Sequence, residues 1–307
     1  MPSGRPWPRI SVVTPSYNQA NFLEETIRSV LLQGYPRLEY LVIDGGSDDG
    51  SVEIIEKYAP WLAYWTSGPD RGQSDAINKG LNRASGHILA WLNSDDVYYP
   101  NALHTVALAM DEVGCDIYLG AMDKVEIRPE GNRLLKRSLP HVGLPIHPFT
   151  ILDNGRKHAF HFYQPAMFWT KDIWERSNGL DERYHYVMDV EWCNRALACG
   201  ANVHTSSDVL TRFAVHPDAK SEALHHEQMA EYVAMYWRLG RTKDFSFLPC
   251  MLAALRPAQR TMFLLGRRAA LRRQRMRALG YRSAGRAIKA LRSYVPGLYG
   301  TKRLGGR

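Results

Sequence analysis

The chain has 307 residues, 45% of them hydrophobic and 23% charged, which fits one large folded domain or a domain with an appendage. Its formal net charge of +8 is uneven: fifteen of the 39 Lys and Arg residues and none of the 31 acidic ones follow Asp244, so the preceding chain holds 24 basic against 31 acidic residues, a net of −7. Four cysteines (Cys115, Cys193, Cys199, Cys250) without CxxC spacing exclude a zinc ribbon or disulfide scaffold and fit a reducing cytosol. The opening MPSGRPWPRISVV is too polar for a secretory signal. No apolar run reaches the roughly 20 residues that cross a bilayer, and the longest, FSFLPCMLAAL, is broken by Pro249.

RISVVTPSY is a β-branched run closed by a proline and predicts a strand. NFLEETIRSVLLQ follows with Leu23, Ile27, Val30 and Leu31 at helical spacing and Asn21 as its cap. LEYLVID predicts a second strand, ended by the turn chemistry of GGSDDGS. SVEIIEKYA reads as a helix, LAYWTSG as a third strand, and SDAINKGLNRA as a helix with Ile77, Leu81 and Ala84 on one face. HILAWL predicts a fourth strand running into Asp95 and Asp96. NALHTVALAMDEV then predicts a helix and CDIYLGAMDKVEI a strand. From Arg128 to Phe162 the pattern is lost among Pro, Gly and His, which predicts a long irregular segment of the kind that holds a second substrate. A further helix is expected over Val190–Leu197.

Strand–helix alternation implies an α/β fold with a mostly parallel central sheet covered by helices, and ligands beyond the carboxyl ends of the strands. Those ends are Thr14–Asn18, Asp44–Asp49, Ser67–Arg71 and Asn93–Asp96, all polar or acidic. Adjacent carboxylates such as Asp95 and Asp96 repel unless solvated or faced by a cation. A nucleotide diphosphate with Mg²⁺ or Mn²⁺ fits such an edge, with Asp95 and Asp96 as metal ligands. Asp44 can accept an N–H from a base, and Tyr17 can stack on it.

VVTPSYNQANFLEETIRSVLLQ, VIDGGSDDGS, GPDRGQSDAINKGLNRASGHILAWLNSDD and GLDERYHYVMDVEWCNRAL occur in the order and spacing of a known family. Over residues 9–220 the chain closely resembles the family 2 glycosyltransferases, enzymes of the GT-A nucleotide-diphospho-sugar transferase fold. The resemblance implies an inverting transfer of a sugar from a nucleotide diphosphate, UDP or dTDP favoured, to a glycan or lipid-linked glycan in cell-surface polysaccharide synthesis. It implies that Asp44 reads the base beside Pro15, Tyr17 and Asn18, and that the DxD-like Asn93-Ser94-Asp95 meets ribose and a divalent metal (Mn²⁺ or Mg²⁺). Asn93 replaces an acidic residue there and removes one negative charge. Ile77 stands where relatives carry Arg, which leaves Asp75 and Asn78 to contact the donor. The resemblance makes Asp189 the catalytic base, although Met188 replaces the Glu that precedes it in the family motif. A helix N-terminus stabilises a carboxylate, so a useful base there needs a compensating environment. His216 is then the third metal ligand, Lys220 a partner of the diphosphate, and Gln164 an acceptor-side residue; Trp169 and Trp174 nearby are either acceptor-side platforms that stack on a sugar face or core packing.

These features divide the chain into a transferase domain over 1–240, with a donor half to about 125 and an acceptor half beyond it, and a basic helical extension over 241–307. RTMFLLGRRAALRRQRMRALGYRSAGRAIKALRSYV sets Met262, Leu265, Ala269, Met276 and Leu279 among arginines, which suits a helix on an anionic membrane surface. The expected place is the cytoplasm, peripheral at the inner face of the membrane. Nucleic acid is not an expected partner, since the tail shows little aromatic interleaving and no recognised motif. A dinucleotide dehydrogenase is excluded by TPSYNQ where GxGxxG would stand. A non-catalytic nucleotide-sugar or membrane-binding protein of the same fold stays open as the alternative, on the strength of Asn93 and Met188.

Overall fold

The structure is a computed structural model of the chain, and it describes residues 1–143, 151–152, 159–216 and positions 228, 231, 234, 235 and 238. The chain divides into two compact units, Met1–Tyr232 and Val233–Arg307. The basic extension over 241–307 lies outside the described residues.

The first unit opens with β1 (Ile10–Ser16), buried along its whole length, and α1 (Ala20–Leu31). Leu23, Ile27 and Val30 of α1 are fully buried, each contributing about 1.5–3 kcal/mol. Asn21 does not cap this helix, since Gln19 occupies the cap position. The orphan N–H groups go instead to the next loop: Ala20 N donates to Asp49 Oδ2 at 2.9 Å and Gln19 N to Ser51 Oγ at 3.1 Å. β2 (Leu38–Asp44), α2 (Ser51–Tyr58), β3 (Tyr64–Ser67), α3 (Gln73–Arg83) and β4 (Ile88–Trp91) follow as the alternation predicts. β5 (Val97–Tyr98), α4 (Ala102–Val113) and β6 (Ile117–Glu126) complete this half.

The segment expected to be irregular contains β7 (Arg133–Ser138), β8 (His141–Gly143), β9 (Ile151–Leu152) and β10 (Ala159–His161). β7 pairs antiparallel with β6. Its first five residues are exposed, so it lacks the alternation that marks a half-buried strand. β11 (Met167–Thr170), α5 (Lys171–Arg176), α6 (Met188–Ala198) and β12 (Val203–Val215) follow, and α6 begins two residues before the expected start.

Among the described residues the main sheet runs β3-β2-β1-β4-β11-β6-β12-β5, with β7 paired to β6. β3, β2, β1 and β4 are parallel. β11 inserts antiparallel between β4 and β6, and β12 runs parallel to β6. The chain leaves β1 to one side for β2 and returns to its other side for β4, so the ends of β1 and β4 flank the point where strand order reverses. The sheet is covered by helices, with α1 and α4 supplying buried residues to one core.

Candidate active site

The loop after β2 is built around one carboxylate. Asp44 is 1% exposed and accepts from Gly46 N (3.0 Å), Ser47 N (2.9 Å) and Ser67 Oγ (2.6 Å) on Oδ2, and from Ser47 Oγ (2.5 Å) on Oδ1. Oδ1 carries only that one bond and keeps acceptor capacity. Asn18, at a left-handed φ of 51°, donates its N–H to Ser47 Oγ and accepts from Asp48 N through Oδ1. Pro15 pairs in register with Ile43, and the Tyr17 ring beyond it is 62% exposed. A cavity of about 410 Å³ opens here, lined by Asp44, Tyr64, Thr66, Asp70, Lys79 and Arg83 among others. Arg83 lies 3.9 Å over the Tyr64 ring. Asp70, Lys79 and Arg83 were not singled out in the sequence, yet Lys79 and Arg83 are one turn apart on α3, a spacing that brings side chains together.

The end of β4 meets β12. Asp95 Oδ2 lies 3.1 Å from His216 Nε2, and the His216 ring stacks on Phe22 at 4.2 Å. His216 Nδ1 is buried with no hydrogen-bond partner among the described residues. The contact between Asp95 and His216 is a hydrogen bond, and its 3.1 Å length also matches adjacent ligands on a six-coordinate ion with bonds of about 2.1 Å. Asp96 does not share that role. It has no exposure, its Oδ1 accepts from Ala214 N at 3.0 Å, and its Oδ2 accepts from Asn93 Nδ2 at 3.4 Å. Burial, with the Asp95 charge beside it, pushes its carboxyl well above the ordinary range. Among the described residues, no group of three or more His, Cys, Asp or Glu could hold a metal.

Asn93 is the hub of this edge. Its Oδ1 accepts from Gln73 Nε2 at 2.8 Å and its Nδ2 reaches Gln164 Oε1 at 3.4 Å. Gln164 in turn donates to Trp91 O at 2.9 Å. Gln73 escaped the sequence reading; its position at the start of α3, just past a strand end, was the available signal. Ser94 is buried, and its carbonyl accepts from Thr26 Oγ1.

Three expected contacts are redirected by the fold. Asn78 Nδ2 donates to Leu180 O at 2.9 Å and Oδ1 accepts from Leu180 N at 2.9 Å, so its amide pins a turn rather than facing a donor. Asp75 is 3% exposed and binds Arg71 N, Arg71 Nη2 and Lys79 Nζ. Burial opposes its ionisation, but hydrogen bonds from Arg71 and Lys79 outweigh that and hold its carboxyl well below the usual range. Asp75 therefore steadies Lys79, which lines the cavity. Trp169 is fully buried against Trp91 (5.3 Å), Trp192 (4.9 Å) and Trp174 (5.8 Å), so it is core rather than an acceptor platform.

Asp189 is the second residue of α6, and its Oδ1 accepts from Val190 N at 2.8 Å. The turn before α6 is tied to α3, where Ser74 Oγ donates to Tyr184 O at 2.9 Å. Lys220 lies outside the described residues.

Residues 11–176 match the family described as Glycosyl transferase family 2, which covers more than half of the chain. The chain belongs to that family. An uncharacterized glycosyltransferase of Mycobacterium tuberculosis is 46% identical over 90 residues, 29% of this chain and 34% of the relative, so the match spans about a third of that relative's length. The putative teichuronic acid biosynthesis glycosyltransferase TuaG of Bacillus subtilis is 35% identical over 113 residues, 35% of this chain and 44% of TuaG. Two solved structures share the fold. S. aureus TarS 1–349 with UDP-GlcNAc has a TM-score of 0.56 at 16% identity over 93% of this chain and 92% of that one. The mannosyltransferase PcManGT of Pyrobaculum calidifontis with GDP-Man and Mn²⁺ has 0.59 at 19% identity over 94% and 91%. The curled central sheet is thus the GT-A sheet of the family 2 transferases. No helix among the described residues is long and apolar enough to cross a membrane.

Proposed function

We propose that this protein is an inverting glycosyltransferase that moves a sugar from a nucleotide diphosphate to a glycan or lipid-linked glycan in cell-surface polysaccharide synthesis. The observation that carries the reading is the meeting of Asp95 and His216, 121 positions apart, at 3.1 Å beside Asn93. TuaG, a relative named for polysaccharide synthesis, supports the acceptor class. UDP-GlcNAc in TarS and GDP-Man with Mn²⁺ in PcManGT support a nucleotide sugar and a divalent ion.

In this reading Tyr17 stacks on the base, Asp44 Oδ1 accepts its imide N–H, which favours UDP or dTDP, and Pro15 and Asn18 shape that end of the cleft. Asn93 and Ser94 meet the ribose. Asp95 and His216 would hold a divalent ion, which when bound would supply positive charge to the leaving diphosphate. Lys220 adds its charge to the same group. Asp189 takes the proton of an acceptor hydroxyl as that oxygen attacks the anomeric carbon opposite the diphosphate. The bond to the diphosphate oxygen breaks and the configuration inverts. Base assistance of this kind contributes about 10²–10⁴-fold. Gln164 orders the acceptor side through Asn93.

Calorimetry with UDP, dTDP, GDP and CDP, with and without Mn²⁺, tests the donor site. Metal-dependent binding of one nucleotide, lost in Asp95→Ala, is the expected result; binding indifferent to metal and to Asp95 would refute the metal site. Asp189→Asn should abolish transfer and leave the donor Kd within about twofold. Loss of both together would remove the base role. The basic tail is proposed to hold the protein at an anionic membrane, each engaged residue adding about 1 kcal/mol. Full-length protein should co-sediment with phosphatidylglycerol vesicles, not phosphatidylcholine ones, and release on raising salt.

A further inference from the structure

The structure assigns Glu231 as the positioning residue of the catalytic helix, an inference that rests on Asp189 being the base. Its carboxylate accepts from His185 N (2.9 Å to Oε1), Tyr186 N (2.7 Å to Oε2) and Val187 N (3.2 Å to Oε2). These are the successive residues that lead into α6, and Val187 is its cap residue, two positions before Asp189. The α6 cap residue makes no side-chain cap bond; a carboxylate 44 to 46 positions further along the chain instead holds the backbone N–H groups just ahead of the first helical turn. Negative charge at this end also suits the helix dipole.

The opposite side of the same turn belongs to the donor edge. Tyr184 O accepts from Ser74 Oγ. Gly72, at φ +108°, lies beside the His185 ring, where a Cβ would be in ordinary van der Waals contact with Nδ1 at 3.6 Å. One residue on, Gln73 holds Asn93. The turn 184–187 is thus clamped between α3, which registers the donor strand end, and Glu231, which fixes three consecutive backbone N–H groups. Held from both sides, it sets where Asp189 stands relative to the donor. Misplacing a reacting group by about 1 Å costs on the order of 10²-fold in rate, so a backbone anchor this near the base acts on turnover without touching substrate.

The test compares Glu231→Ala, Glu231→Gln and wild type in the full-length protein, reading kcat, KM, donor Kd and amide hydrogen exchange. We expect Glu231→Ala to lower kcat about 10- to 100-fold, with donor Kd within twofold and Glu231→Gln intermediate, because its single carbonyl oxygen still accepts. Exchange should quicken at 184–190 and stay unchanged in β1 and β4. Unchanged exchange at 184–190 in Glu231→Ala would overturn the assignment whatever the rates. So would a kcat loss matched by equal weakening of donor binding and faster exchange throughout, which is plain destabilisation. If Asp189→Asn still transfers sugar, the base reading fails instead, and exchange at 184–190 alone decides whether Glu231 holds the turn.

Discussion

Asp96 has no exposure and is bonded to Ala214 N and Asn93, whereas the Asp95 side chain beside it keeps 22% of its surface and faces His216. The two residues are identical in chemistry, and only their direction from the end of β4 separates them. Asp96 acts as a buried tie between β4 and β12 that holds His216, two residues past Ala214, against Asp95. Asp96→Asn preserves an acceptor for Ala214 N, so Mn²⁺-dependent nucleotide binding should stay within about threefold of wild type, while Asp95→Asn should lose it; calorimetry decides. The reverse pattern would make Asp96 the ligand. Asp44, Asp95 and Asp189 were legible as candidates because they end strands or open a helix in a recognisable motif. Gln73 and Glu231 were not, since each acts through a hydrogen bond to a segment far away in sequence.

At the scale of elements, α3 shows how packing and charge divide one helix. Gly80 faces the sheet, where an added Cβ would fall 2.5 Å from Val13 Cγ1 and 2.9 Å from Cγ2. Val13 is fully buried and has no room to yield. Gly80→Ala gains about 1 kcal/mol of helix propensity but incurs about 1–3 kcal/mol of overpacking, and should lower stability in urea melts. On its other side Asp75 holds Arg71 and Lys79. Its folded carboxyl titrates below the ordinary value of 3.8, so its stabilisation is present above that value and is lost as pH falls through the lower folded one. The stability gap between wild type and Asp75→Asn should therefore be full near neutrality and close as pH drops below 3.8; a gap that widened in acid would contradict the pairing. β1, β2 and β4 were readable as apolar runs because helices bury both faces of a parallel sheet. β7 was not, because its exposed edge position imposes no hydrophobic pattern.

Across the first unit, β11 joins β4 to β6, so the four parallel strands β1 to β4 and the later strands form one hydrogen-bonded sheet. Trp91 of β4 and Trp169 of β11 meet across that seam with Trp174 and Trp192. Denaturant melts followed by tryptophan fluorescence and far-ultraviolet circular dichroism should coincide, since the cluster and the sheet break together. Trp169→Ala should cost about 3–5 kcal/mol and move both curves equally; separated transitions would mean that the halves unfold independently. By itself the sequence determined the alternation, the strand ends and the family motifs, because periodicity, turn chemistry and short-range spacing are local properties of the chain. Only the tertiary structure decided which of two adjacent aspartates meets His216, that Trp169 is core, that Asn78 pins a turn, and that the Glu231 carboxylate reaches the backbone ahead of α6. Those outcomes depend on which distant groups compete for each polar atom once segments 44 to 121 positions apart are brought together.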